Sequence, residues 1–283
     1  MSFIMNSPLF SVLIANYNNA KYFEECFISL QNQTYQNFEV IILDDGSSDD
    51  SLAVIKTLIG GDLRFSLYVN DTNRGVGYTK RKLVTFAKGD ICGFVDGDDV
   101  LAPNALEIMV NTHLSYPKAS IINSNLYFCD EKLNILGKTN VSKIESNINN
   151  FFNKNYDITH FATFKKELYF KTEGINPYFR LAEDQDLYLK LYEVGDHQIV
   201  EEALYFYRAN PNSLMHVNKN DKANLLHWYA ILRAAERRNL DIDEIINQNF
   251  IYRKELNRIK KSKWAKLGSK LGIFKAYKSI FNN

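Results

Sequence analysis

The chain predicts an α/β fold: a mainly parallel central sheet flanked by helices, followed by a helical C-terminal extension. Three observations predict it. Apolar runs suited to buried strands alternate with amphipathic stretches at helical spacing over the first hundred or so residues. The connections between them are short, and that alternation predicts a largely parallel sheet with helices on both faces. From about Lys219 onward only helical periodicity remains.

The elements follow in order. Phe10 to Ala15 is a strand that stops at the turn-forming Asn16-Tyr17-Asn18-Asn19. Ala20 to Gln33 reads as a helix with Phe23, Phe27 and Leu30 on one face. Phe38 to Leu43 is the second strand and runs into Asp44-Asp45-Gly46-Ser47-Ser48-Asp49-Asp50. Ser47 and Asp50 have the spacing of a capping box for the helix that reaches about Leu58. Phe65 to Val69 is the third strand, and a helix from about Tyr78 to Ala87 carries Lys80, Arg81 and Lys82. Ile91 to Val95 is the fourth apolar run, closed by Asp96-Gly97-Asp98-Asp99.

Pro103 introduces a helix from Asn104 to His113, and Ala119 to Phe128 is a further strand. Residues 131–157, rich in Asn, Lys and Ser, read as variable loop with one short helix. Phe161 to Phe164 is a strand and Lys165 to Lys171 a helix. Ala182-Glu183-Asp184-Gln185-Asp186 opens a helix to Glu193, and Ile199 to Arg208 is again strand. Leu225, Trp228, Tyr229 and Leu232 then recur at helical spacing. The last helix sets Trp264, Leu267, Leu271, Phe274 and Phe281 on an apolar stripe, with Lys263, Lys266, Lys270 and Lys275 largely elsewhere. The organisation expected is one α/β domain over residues 1–218 and a helical extension over 219–283.

With 283 residues, 46% of them hydrophobic, the chain can bury a full core. It has no apolar run long enough to span a membrane, and its first residues lack a secretory pattern. Cys26, Cys92 and Cys129 are odd in number and scattered, which fits neither a disulfide framework nor a zinc site. A reducing cytoplasm is the setting expected. The net charge of +1 divides into +9 on residues 251–283 and −8 on the rest. A basic tail on an acidic body suggests an anionic surface as its partner.

Each polar cluster follows a strand end, and the ends of parallel strands lie along one edge. Tyr17, Asp44, Asp45, Asp96, Asp98 and Asp99 are therefore expected to converge. Carboxylates this close repel one another, which a raised pKa or a hard divalent cation relieves. Plainer readings exist: acids favoured at a helix N-terminus for Asp44 and Asp45, an N-cap for Asp184, a solvated basic face for Arg81, an exposed side chain for His216.

Ser11-Val12-Leu13-Ile14-Ala15-Asn16-Tyr17-Asn18, the Val40 to Asp49 stretch, Asn73 to Arg81, and Phe94-Val95-Asp96-Gly97-Asp98-Asp99 together resemble family 2 glycosyltransferases of the GT-A fold. The resemblance spans about residues 9 to 215, with Ala15 where the family usually has Pro. It implies Ala15, Tyr17, Asn18, Asp44 and Asp45 at the nucleotide base, and Arg81 facing the base or diphosphate. It implies Asp96 at the ribose, with Gly97 beside it, and Asp98 with Asp99 holding Mn²⁺ or Mg²⁺ on the diphosphate. His216 matches a region that contributes to that site in some members. Glu183-Asp184 resembles the family's Glu-Asp pair, which implies Asp184 as general base and inversion at the anomeric carbon.

The reading that follows is an inverting glycosyltransferase using a nucleotide sugar, UDP-linked by family habit, on a glycan or lipid-linked acceptor, as in bacterial surface polysaccharide synthesis. A sugar nucleotidyltransferase would usually show a Gly-rich, Arg-containing loop after the first strand, where this chain has Asn16 to Ala20. A non-catalytic, membrane-associated nucleotide-sugar binder is the other alternative. The basic amphipathic end suits an anionic membrane surface, and so a peripheral position on the inner face of the cell membrane. Packing on its own core or self-association are the other uses of that stripe, and no nucleic-acid partner is expected.

Overall fold

A computed structural model of the protein describes residues 7–141, 158–210, 221–241 and 263. Strands β1 (Phe10–Asn16), β2 (Phe38–Asp44), β3 (Phe65–Val69) and β4 (Ile91–Phe94) alternate with helices α1 (Phe23–Gln31), α2 (Ser51–Ile59) and α3 (Val76–Phe86). β1 pairs in parallel with β2 and β4, and β2 with β3. The register sets Asn16 opposite Asp44 and Leu13 opposite Phe94, so these strands release the chain along one edge.

β5 (Val100–Leu101), α4 (Ala105–Ser115), β6 (Ala119–Cys129), β7 (Ile135–Lys138), β8 (Ala162–Lys165), α5 (Lys166–Tyr169), α6 (Glu183–Tyr192), β9 (Asp196–Arg208) and α7 (Asp221–Arg237) follow. Among the described residues the strands form one sheet in the order β3-β2-β1-β4-β8-β6-β9-β5, with β7 added on β6. β6 and β9 are parallel, whereas β5, β7 and β8 run antiparallel to their neighbours.

The apolar faces explain the layers. Phe23, Ile55 and Met109 bring α1, α2 and α4 onto one face of the sheet. Leu83, Val84, Leu187 and Leu191 bring α3 and α6 onto the other. Gly93 makes one close approach possible: a Cβ there would fall 2.7 Å from the Phe161 ring, which crosses β4 into the first core.

Several expectations differ from the structure. The stretch read as variable loop contains β7, a hairpin partner of β6, and its residues 142–157 lie outside the described ones. β5 is two residues long, too short for any periodic signal. Ser47 does not cap α2, because its N–H and hydroxyl both turn to Asp44 at 2.9 and 2.6 Å, and Asp50 takes the N-cap position. α7 meets Phe179 and Leu189 through Ala230, Ile231, Ala234 and Ala235, while Leu225 and Tyr229 of the predicted stripe are exposed. His216 and the basic stretch from Ile251, apart from the exposed Lys263, lie outside the described residues. No helix among the described residues is long and apolar enough to cross a membrane.

Candidate active site

The loops after β1, β2 and β3 are knitted together by the first acidic pair. Buried Asp44 accepts from Asn16 Nδ2 at 2.8 Å as well as from Ser47. Asp45 Oδ1 accepts from Asn70 Nδ2 at 2.8 Å and the Arg74 N–H at 2.9 Å, and Oδ2 from the Gly75 N–H at 2.8 Å. Asn18 Oδ1 accepts the Ser48 N–H at 2.8 Å. Each carboxylate oxygen can accept two bonds, so Asp45 Oδ2 keeps room for one more donor. Tyr17 is exposed at this mouth and Ala15 is half-buried.

At the end of β4 three carboxylates diverge in role. Asp96 is half-buried; burial works against its charge, but Lys80 Nζ at 3.6 Å holds its carboxyl below the usual range. Gly97 is buried. Asp98 Oδ2 accepts from Asn210 Nδ2 at 2.8 Å, and burial together with the charge of Asp96 pushes its carboxyl up. Asp99, expected beside Asp98 at a metal, is 1% exposed with both oxygens engaged. The Tyr205 hydroxyl donates to Oδ2 at 2.7 Å and the Arg208 N–H to Oδ1 at 2.8 Å. Asp99 is thus a buried strut from the turn between β4 and β5 to β9, and burial with the charges of Asp98 and Asp96 raises its carboxyl well above the ordinary value.

α6 brings the last acids to the same place. Lys80, buried on α3, donates to Glu183 Oε1 at 2.9 Å. Burial opposes the Lys80 charge, yet Asp96 and Glu183 hold its ammonium well above the usual range. Asp184 is half-buried, accepts the Gln185 N–H at 2.7 Å, and has no ion-pair partner among the described residues. It occupies the first turn of α6 rather than its N-cap, which is Ala182.

Arg81, expected to face the donor, instead donates through Nη1 to the carbonyls of Glu173 at 2.8 Å and Ile175 at 2.7 Å. Successive helical residues point about 100° apart, so the two cations diverge and Lys80 is the one among the acids. Sequence reasoning passed over Lys80, Glu183 as its partner, and Arg208. Arg208 is 2% exposed and donates through Nε to the Asp98 carbonyl at 2.6 Å and through Nη1 to the Glu131 carbonyl at 2.6 Å. Nothing in the local pattern marks Arg208, because its partners are remote in the chain.

Among the described residues no three His, Cys, Asp or Glu side chains form a ready metal cage. Asp98 nevertheless fits a hard divalent ion, which commonly takes one or two carboxylates and fills its other positions with phosphate oxygens and water. A cation there would offset the repulsion that raises Asp98.

Comparison with known proteins gives the family and the fold. Residues 11–172 match the model of the family described as Glycosyl transferase family 2. The chondroitin synthase of Pasteurella multocida is 29% identical over 87% of this chain, which spans about a quarter (25%) of that protein. The structure of S. aureus TarS 1-349 in complex with UDP-GlcNAc superposes with a TM-score of 0.64 at 18% identity, covering 96% of this chain and 78% of that one. The mannosyltransferase PcManGT from Pyrobaculum calidifontis, in complex with GDP-Man and Mn²⁺, gives 0.58 at 17% identity, covering 98% and 84%. The shared fold is GT-A. Because the family match covers more than half of its length, the chain belongs to glycosyl transferase family 2.

Proposed function

We propose that the protein is an inverting glycosyltransferase that moves a sugar from a nucleoside diphosphate sugar, UDP-linked, to a hydroxyl of a glycan or lipid-linked acceptor in bacterial surface polysaccharide synthesis. One observation carries the reading: Lys80 joins Asp96, at the end of β4, to Glu183, at the start of α6, so that Asp98 and Asp184 stand two residues and one residue from a shared ion pair. The names of the Pasteurella synthase and of the two structural neighbours support a polysaccharide setting and a nucleotide-sugar donor.

Tyr17 and the remaining acceptor position of Asp45 face the base in this reading, and Asp96 the ribose. Asp98 would hold Mn²⁺ or Mg²⁺, with His216 as a further candidate ligand. When bound, that ion stabilises the negative charge that develops on the departing diphosphate. Asp184 takes the proton of the acceptor hydroxyl as its oxygen attacks the anomeric carbon. Attack from the side opposite the leaving group is a single displacement and inverts that carbon. The basic C-terminal stretch would hold the enzyme at an anionic membrane surface near a lipid-linked acceptor.

The test is incubation with labelled nucleotide sugars and Mn²⁺, reading nucleoside diphosphate release. Asp184→Asn should keep donor affinity and lose about 10³-fold in turnover. Asp98→Ala should abolish the Mn²⁺-dependent part of UDP binding. Nucleotidyl exchange, or binding without release, would replace the reading with one of its alternatives.

A further inference from the structure

Gly77, Lys80 and Arg81 are spaced by three and four residues, which is one face of α3. All three hold the segment that leads from α5 into α6. Arg81 grips its entry through the Glu173 and Ile175 carbonyls. At its middle the Gly77 N–H donates to the Phe179 carbonyl at 3.1 Å. A Cβ at residue 77 would lie 2.4 Å from that oxygen and 2.6 Å from the Asn176 carbonyl, so only glycine allows this approach. Lys80 grips the exit at Glu183. Just before Glu183, Ala182 has a φ of 62°, left-handed backbone that a non-glycine residue keeps only when its surroundings hold it.

We infer that this face of α3 is a clamp that positions the general base, and that Lys80 decides which of two adjacent carboxylates is that base. Glu183 is buried and ion-paired with the ammonium at 2.9 Å. Asp184, one residue on and turned by about 100°, is left without an ion pair among the described residues. The same ammonium reaches Asp96 at 3.6 Å, so the donor edge and the base are set against each other by one group. Lys80 and Arg81 are positioning residues. The inference rests on Asp184 being the base.

The experiment uses the full chain with Lys80→Met, Lys80→Arg, Arg81→Ala and Arg81→Lys. Three readouts are taken: backbone amide exchange, UDP affinity with Mn²⁺ by calorimetry, and kcat against KM for the donor. In Lys80→Met and Arg81→Ala, amides of residues 173–186 should exchange about tenfold faster or more while those of β1, β2 and β4 stay as they are. UDP affinity should stay within about threefold in Arg81→Ala, and kcat should fall about 100-fold in Lys80→Met, the loss expected from a base displaced by about 1 Å. Lys80→Arg and Arg81→Lys should recover part of it. Unchanged exchange with UDP affinity weakened about tenfold would make these cations donor ligands and overturn the clamp. A wild-type protein that releases no nucleoside diphosphate from any donor removes the transferase reading, whereas the exchange readout still decides the clamp. If Lys80→Met does not fold, Lys80→Arg and Arg81→Ala decide it.

Discussion

The two halves of the sheet keep their polar groups in different places. In β1 and β2 the interior is Val12, Leu13, Ile14, Val40, Ile41 and Ile42, and apart from Ser11 polar burial begins only at Asn16 and Asp44, where the strands end. In β6 and β8 the polar side chains lie inside the sheet: Ser120, Asn123, Ser124, Asn125 and Thr163 are all 1% exposed or less. Pairing explains the contrast. A regular parallel ladder satisfies its own N–H and C=O groups. β6 slips register against β9 on both sides of Asn125, and side chains fill what the ladder leaves open.

Asn125 shows how. Its Nδ2 donates to the Glu201 carbonyl at 2.9 Å, and its Oδ1 accepts from the Val141 N–H at 2.8 Å and the Thr139 hydroxyl at 2.9 Å. Ser120 donates to the Leu191 carbonyl at 2.6 Å and so ties β6 to the end of α6. The first half is a regular scaffold with its chemistry at the rim, whereas the second is irregular and held by buried polar bonds.

The largest test of that contrast is Asn125→Leu, which leaves buried backbone and hydroxyl groups unpaired and should cost about 3 kcal/mol or more in urea unfolding. Ile42→Val in the first half should cost about 1 kcal/mol, and equal costs would erase the distinction. Acid comes next. Burial, with the charge of Lys165 behind it, lowers the His113 pKa to about 3, and burial lowers that of His197 to about 4. Both stand in the second half, at 3.0 Å from the Thr163 hydroxyl and 2.6 Å from Asn123 Oδ1.

The unfolded chain takes up these protons near pH 6.5 and the folded one does not, so their stability is complete above that pH and lost as pH falls. At pH 5 each histidine should have removed about 2 kcal/mol. Urea unfolding of His113→Gln at pH 7.5 and 5 should show about half of the combined loss. The smallest effects belong to the first half. Ser47→Ala removes the hydroxyl bond to Asp44 and should cost about 1 kcal/mol, read as a small shift in the unfolding midpoint.

The same contrast governs what could be read in advance. Strand ends carrying Asp44, Asp45, Asp96 and Asp98 were legible, because a short apolar run and the turn after it are local patterns. β5 and β7 were not, because a two-residue bridge and an exposed four-residue strand carry too little periodicity. Asp98 and Asp99 are chemically identical neighbours; only β9, which brings Tyr205 and Arg208, separates a rim carboxylate from a buried strut.

By itself the sequence determined the alternation of elements, the edge at which the acids collect and the family to which the chain belongs, since each is written in residues close together along the chain. Tertiary structure alone decided that Lys80 rather than Arg81 stands among the carboxylates, and that Asp99 is held by β9. Those outcomes depend on the phase of one helix against a segment 103 residues away and on a bond that reaches from the turn after β4 to β9 across 106 residues. No local pattern encodes such distances, because the partners become neighbours only once the sheet has closed around them.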